Sequence, residues 1–143
     1  MPLQTTFGTK VSKHDATQLH DLGTLRIEGN KAYKYYKASG AIADKAAVTG
    51  AAAGTVKLHA ASLTPIAVNW TGSAFADGEY GWFQVAGQVG PLDTSGATAV
   101  GYPLYAVDAT GLLTGLVTGA TAIGSSVVTV DNATGYGELA GLV

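Results

Sequence analysis

Residues 80–86, with the sequence YGWFQVA, form a run rich in aromatic residues and follow the turn signal Asp77-Gly78. Aromatic and β-branched residues favour strands, so this stretch predicts a central β-strand. Shorter β-prone runs surround it and are separated from one another by Gly, Asn, Asp or Pro. They are TVKLHAA at 55–61, IAVNWT at 66–71, PLYAV at 103–107, LLTGLV at 112–117 and SSVVTV at 125–130.

These runs recur at short intervals, and the chain shows no long stretch with the apolar spacing of an amphipathic helix. A series of about eight short strands joined by turns is typical of an all-β protein. The length of 143 residues suits a single domain. We therefore expect a compact antiparallel sandwich or barrel.

Two β-prone runs near the N-terminus predict a β-hairpin. Residues 24–27 and 31–38 flank Glu28-Gly29-Asn30, and Gly-Asn is a common hairpin turn. Side chains alternate between the two faces of a strand. The alternation predicts two groups on opposite faces of the second run, KAYKYYK: Tyr33, Tyr35 and Lys37 on one, Lys34 and Tyr36 on the other.

Residues 1–23 differ from the rest of the chain. Their apolar residues are scattered among Thr, Gln, Lys, His and Asp, with no helical or strand period. We interpret residues 1–23 as an extended arm and residues 24–143 as a single β domain.

The charges are unevenly distributed along the sequence. Only 13% of residues are charged, which is about half the usual share. Residues 1–57 contain all eight basic residues and four of the ten acidic ones, which gives a net charge of +4. Residues 58–143 contain the other six acidic residues and have a net charge of −6. Such asymmetry indicates a charged partner. We expect the basic end to face that partner and the acidic body to face solvent.

The composition also excludes several classes of protein. The chain has no cysteine, which excludes disulfides, thiolate metal sites and a cysteine nucleophile. The N-terminus lacks the apolar run of a signal peptide, so we expect synthesis in the cytosol. The charge-free run at 109–130 is half Gly, Thr and Ser and lacks interfacial anchors, so we expect no membrane span.

The candidate catalytic and metal-binding residues form no recognisable motif. His14-Asp15 and His20-Asp21 lie six residues apart, which matches neither a helical nor a strand pair of metal ligands. No serine lies in a nucleophile-elbow motif, and His59 stands alone in a predicted strand. We therefore predict no enzyme, no metal and no cofactor. The two arm histidines are interpreted as hydrogen-bonding residues for a partner.

Three segments resemble the decoration or cement proteins of tailed-bacteriophage capsids. They are LQTTFGTKVSKHDATQLHDLGTLRIEGNKAYKYYKASG at 3–40, YGWFQVAGQVG at 80–90 and VGYPLYAVDATG at 100–111. The resemblance implies a β-rich, often trimeric structural protein made in the bacterial cytoplasm and located on the outside of the capsid. Its partner would be the major capsid protein.

On this resemblance, residues 1–23 are the arm that contacts the capsid. The expected contact residues are the basic, apolar and imidazole side chains of the arm: Lys10, Lys13, Phe7, Val11, Leu19, His14 and His20. The lysines would meet acidic groups of the shell, and the apolar residues would be anchors. Many copies on one lattice would bind by avidity, and we expect a homotrimer that stabilises the shell.

Two other functions compete with this interpretation. A carbohydrate-binding or host-adhesion module of a virion would use exposed aromatic side chains, with Trp70, Tyr80 and Trp82 as candidates. A single-stranded nucleic-acid binder would use the lysines and tyrosines of residues 31–37 for phosphate contacts and base stacking. The sequence pI of about 5.8 argues against nucleic acid as a partner.

Overall fold

The computed structural model describes residues 10–61, 63–90, 103–108, 110–114, 120–130 and 136–142. These residues form ten strands and no helix, which confirms the all-β prediction. The strands are β1 (Leu25–Glu28), β2 (Lys31–Ala38), β3 (Ala47–Gly50), β4 (Thr55–Leu58), β5 (Pro65–Val68), β6 (Tyr80–Val89), β7 (Pro103–Val107), β8 (Leu113–Thr114), β9 (Ala120–Val130) and β10 (Tyr136–Leu139). Across this part of the chain, no helix has the length and apolarity needed to cross a membrane.

Strands β2 to β6 close into a small barrel. Around the ring the order is β2, β4, β3, β5 and β6. The ring is closed by the pairing of β6 with β2, which runs from Ala32↔Ala86 to Lys37↔Tyr80. These pairs are antiparallel except β2 with β4, which is parallel at Lys37↔Thr55. Of the two predicted architectures, sandwich or barrel, the structure has the barrel, with one parallel pair that the sequence pattern does not show.

Strand β6 is the predicted central strand, and it belongs to two sheets. Its first part pairs with β2 and β5, and from Gly87 to Val89 it pairs with β10. Strands β10, β9, β7 and β8 follow in that order as a second sheet. Gly87 has a φ of 99°, and a Cβ atom there would lie 2.8 Å from Asn30 O. Only glycine therefore suits this junction between the two sheets.

Apolar side chains fill two cores. The first lies inside the barrel and contains Ala38, Ile42, Val48, Val56, Ala67, Phe75, Phe83 and Val85. The second joins the barrel to the second sheet and contains Ala47, Val68, Val89, Leu104, Ala106, Leu113, Ile123 and Leu139. Successive side chains of a strand point to opposite faces, so Ala47 and Val48 enter different cores. Strands β3 and β5 thus tie the two cores together.

The N-terminal hairpin has the predicted turn and the predicted faces. Strands β1 and β2 pair antiparallel around Gly29-Asn30. Tyr35 packs beside Trp82 on the outer face of the barrel, whereas Tyr36 packs against the inner core. The alternation of KAYKYYK therefore holds in the structure.

Candidate docking surface

The N-terminal segment, residues 10–23, lies against the barrel. Asp15 N–H donates to Tyr80 O at 3.0 Å, and Tyr80 N–H donates to Asp15 O at 2.7 Å. A Cβ atom at Gly81 would lie 2.7 Å from the Phe75 ring and 3.2 Å from Lys13 O, so glycine permits this close approach. The segment is thereby anchored at the start of β6.

His14 fixes this part of the segment through its side chain. Its ring stacks on Phe75 with 3.5 Å between centroids, and Nε2 lies 2.7 Å from Thr71 Oγ1. Nδ1 lies 3.9 Å from Glu79 Oε1, and the side chain is 8% exposed. Burial lowers the pKa of His14, and the Glu79 carboxylate acts in the opposite direction. The neutral imidazole therefore serves as a packing group between the segment and the barrel.

Further along the segment, Leu19 and His20 contact an aromatic cluster on the barrel. Leu19 N–H donates to Tyr35 Oη at 3.1 Å. The His20 ring lies 5.1 Å from the Tyr35 ring and 5.2 Å from the Trp82 ring. The Arg26 guanidinium of β1 lies 5.3 Å from the Trp82 ring centroid. Tyr35 and Trp82 are each only 1% exposed, although they lie on the outside of the barrel.

The predicted contact residues His14 and His20 therefore have partners within the chain. His14 bonds to Thr71, and the His20 ring packs on Tyr35 and Trp82. Both side chains position the segment on the barrel. Contact of either side chain with a capsid stays a prediction.

The other predicted contact residues are more exposed. Lys10 is exposed, the Lys13 side chain is 57% exposed, and Leu19 is 47% exposed. Val11 is half-buried, and Phe7 lies outside the described residues. The structure thus brings Lys10, Lys13 and Leu19 to the surface along one short segment.

Strand β1 presents an apolar pair that the sequence reasoning missed. Leu25 is 43% exposed and Ile27 is 71% exposed. The two side chains share one face of the strand, and β1 is the terminal strand on its side of the sheet formed by the described residues. The alternation LRIE was a visible signal, but it does not show whether the apolar face lies in a core or in solvent.

The tryptophans of the carbohydrate-binding alternative are packed into the protein. Trp82 is 1% exposed, and Trp70 is partly buried against the second core. Tyr80 is half-buried, with Lys37 Nζ 5.5 Å from its ring centroid. Sugar rings stack on exposed aromatic faces, so this burial counts against carbohydrate binding at these residues.

The tyrosines of the nucleic-acid alternative are also packed. Tyr35 is buried, and Tyr33 and Tyr36 are half-buried. Burial raises the pKa of all three hydroxyls. Base stacking needs open ring faces, so the arrangement counts against a nucleic-acid platform at residues 31–37.

His59 joins the barrel to the second sheet. It follows β4, is 2% exposed, and places Nε2 3.1 Å from Oδ1 of Asp108, which follows β7. Thr121 Oγ1 of β9 donates to the same oxygen at 2.8 Å. The Thr121 and His59 hydrogen bonds lower the pKa of Asp108.

This trio does not have the geometry of a nucleophile and its base. In a catalytic triad the hydroxyl bonds to the imidazole, whereas Thr121 and His59 both bond to one carboxylate oxygen of Asp108. The interpretation of His59 as a structural residue is therefore supported. Within the described ranges, no group of three His, Asp or Glu side chains could hold a metal ion.

The charge asymmetry of the sequence is only partly a separation in space. Glu79 lies beside His14, and Asp77 Oδ1 accepts a hydrogen bond from Gly40 N–H at 2.7 Å. Both acidic residues come from the negatively charged part of the chain, yet both contact its positively charged part. The predicted division into a basic end and an acidic body does not hold for this loop, because the loop before β6 folds back onto the N-terminal half.

Comparison with solved structures identifies a chain of similar fold. It belongs to the structure described as "The capsid of Myoviridae Phage XM1", with a TM-score of 0.61, 16% sequence identity and coverage of 97% of both chains. No protein-family description matches the sequence, and no curated protein matches it. The two chains therefore share a fold over nearly their whole length.

Proposed function

We propose that this chain is a non-enzymatic structural protein of a phage virion that binds the outside of the capsid and stabilises it. The observation that carries the proposal is the fold shared over 97% of both chains with a chain from the capsid of phage XM1. Its partner is the major capsid protein, and its copies assemble as trimers on the lattice.

The exposed residues of the N-terminal segment support this role. Lys10 offers a charge to acidic groups of a shell, and Leu19 offers an exposed apolar contact. Lys13 is exposed as well, with its Nζ 3.2 Å from Oδ1 of Asp15 in the same segment. The segment is held on the barrel by the Asp15–Tyr80 pairing. A contact surface that is ordered before binding loses less entropy on docking, and many copies add avidity.

The direct test uses capsids of the encoding phage that lack this protein. The purified full chain is added, and binding is measured by co-sedimentation and shell stability by thermal melting. We expect saturable binding and a higher melting temperature of the shells. Absence of binding to such capsids contradicts the proposal.

A matched pair of charge variants assigns the surface. Lys10→Ser removes one exposed lysine of the segment, and it should weaken binding and reduce its dependence on salt, because exposed charges act through screened attraction. Lys57→Ser removes an exposed lysine of β4 and should leave binding unchanged. Equal effects of the two changes would contradict the role of the segment, and sedimentation analysis of the free protein checks the trimer.

A further inference from the structure

Strand β1 has a backbone edge that no other described strand covers. Among the described strands it pairs with β2 alone. Tyr35 N–H donates to Thr24 O at 3.0 Å, so Thr24 and Tyr35 form a hydrogen-bonded pair. Bonded and non-bonded pairs alternate along an antiparallel ladder, so Leu25 and Ile27 hold non-bonded positions opposite β2. Their backbone N–H and C=O groups therefore point outward, away from β2.

The exposed side chains of Leu25 and Ile27 do not protect this edge. Proteins usually guard edge strands with lysine, proline or a bulge. In β1 the outward positions carry Leu25 and Ile27, which are 43% and 71% exposed. The charged residues Arg26 and Glu28 pair with each other at 2.6 Å on the opposite face. Outward backbone groups beside exposed apolar side chains are what an added extended strand needs.

The charge around the edge identifies the kind of strand that fits. Residues 25–38 contain four basic residues and one acidic residue, a net charge of +3: Arg26, Lys31, Lys34 and Lys37 against Glu28. Edge-to-edge pairing of two copies would place β1 next to β1 and bring together two hairpins that each carry a net +3. Arg26 and Glu28 balance each other within β1, so the repulsion comes from the net charge of the hairpins. A negatively charged segment of a different chain is attracted instead.

From this edge we infer that β1 receives an extended, acidic segment of the major capsid protein, which adds to the sheet as a further strand. Apolar side chains of that segment contact Leu25 and Ile27, and its backbone bonds to the outward groups of these residues. The inference rests on the proposed function and names the partner segment that the shell contributes.

The first measurement is amide hydrogen exchange with residue resolution, on the free full chain and on the chain bound to capsids. In the free protein, the amides of Leu25 and Ile27 should exchange faster than that of Arg26, which bonds to β2. On capsids, exchange at Leu25 and Ile27 should slow by about tenfold or more.

The second measurement compares binding of variants to the same capsids. Leu25→Thr with Ile27→Thr keeps β-prone residues and removes the apolar contact, and binding should weaken by about tenfold or more. Ile27→Pro removes one outward N–H and no β1–β2 hydrogen bond, and binding should weaken similarly. Gln88→Thr changes an exposed position of β6 and is the control that should bind like the wild type.

The outcomes separate this inference from the proposed function. If the wild type and both β1 variants bind capsids equally, the inference is overturned and the proposed function stands. If the wild type does not bind capsids, both are overturned. If the amides of Leu25 and Ile27 exchange slowly in the free monomer, another part of the same chain covers the edge. If their protection grows with protein concentration, a second copy of the protein covers it. Either result overturns the inference.

Discussion

The N-terminal segment and strand β1 meet the same aromatic cluster and differ in how they meet solvent. The segment is polar in sequence, yet His14 is 8% exposed and His20 packs against Tyr35 and Trp82. Strand β1 alternates apolar and charged residues, yet its apolar residue Ile27 is 71% exposed while Arg26 lies over Trp82. In these two regions a side chain is buried when it has a contact partner on the barrel. Hydropathy alone would predict the reverse, with the histidines exposed and Ile27 buried.

The largest effect is expected where both regions meet. Trp82→Ala removes a side chain that is 1% exposed and packs on Tyr35 with 5.1 Å between ring centroids. Loss of a buried tryptophan costs about 3–5 kcal/mol of unfolding free energy, measured by urea denaturation. The control Gln88→Ala changes an exposed position and should cost little. A small loss for Trp82→Ala would show that the cluster does not join the two regions.

A smaller effect is expected from a change confined to the segment. His14→Ala removes the ring stacked on Phe75 and its hydrogen bond to Thr71. The cost should be about 1–2 kcal/mol, with faster amide exchange at Asp15 and Tyr80 and no change in β1. Thr17→Ala, at an exposed position of the segment, is the control. Unchanged exchange at Asp15 would mean that His14 does not hold the segment.

Acidification should loosen the segment and leave β1 in place. Burial lowers the pKa of His14 from its ordinary 6.5, so the unfolded chain binds the proton more readily than the folded one. Stability from neutral His14 is therefore complete above pH 6.5 and falls as pH drops from there toward the folded pKa. Urea titrations across this range should show the loss in the wild type and a flatter profile in His14→Gln. Identical profiles would refute the assignment.

The smallest effect on stability is expected at β1. Leu25→Thr with Ile27→Thr alters side chains that already face solvent, so unfolding free energy should change by less than about 0.5 kcal/mol. Binding of a hydrophobic dye should decrease. A loss comparable to that of Trp82→Ala would show that these side chains belong to a core, and the contrast between the two regions would disappear.

Much of the fold follows from sequence patterns because those patterns reflect local geometry. The aromatic run at 80–86 marks the central strand, Gly29-Asn30 marks the hairpin turn, and period-two alternation separates Tyr35 from Tyr36. Each of these features depends on neighbouring residues in the chain. They could therefore be predicted before any long-range contact was known.

The placement of the N-terminal segment depends on distant residues. His14 lies against Phe75 and Thr71, and Asp15 pairs with Tyr80, so no pattern within residues 10–23 encodes these contacts. The parallel pairing of β2 with β4 is likewise invisible locally. The same limit applies to Ile27. Its side chain is exposed because no other described strand lies beyond β1, and the local sequence does not show this.

The position of β6 between two sheets also constrains how the protein is made. The barrel closes only when β6 pairs with β2, and the second sheet attaches to the end of the same strand. A chain leaving the ribosome cannot complete either unit before residues 80–89 have emerged, and such distant pairings fold slowly. We expect β2 to β5 to remain an open, association-prone intermediate until then, with β6 acting as the template on which the remaining strands assemble.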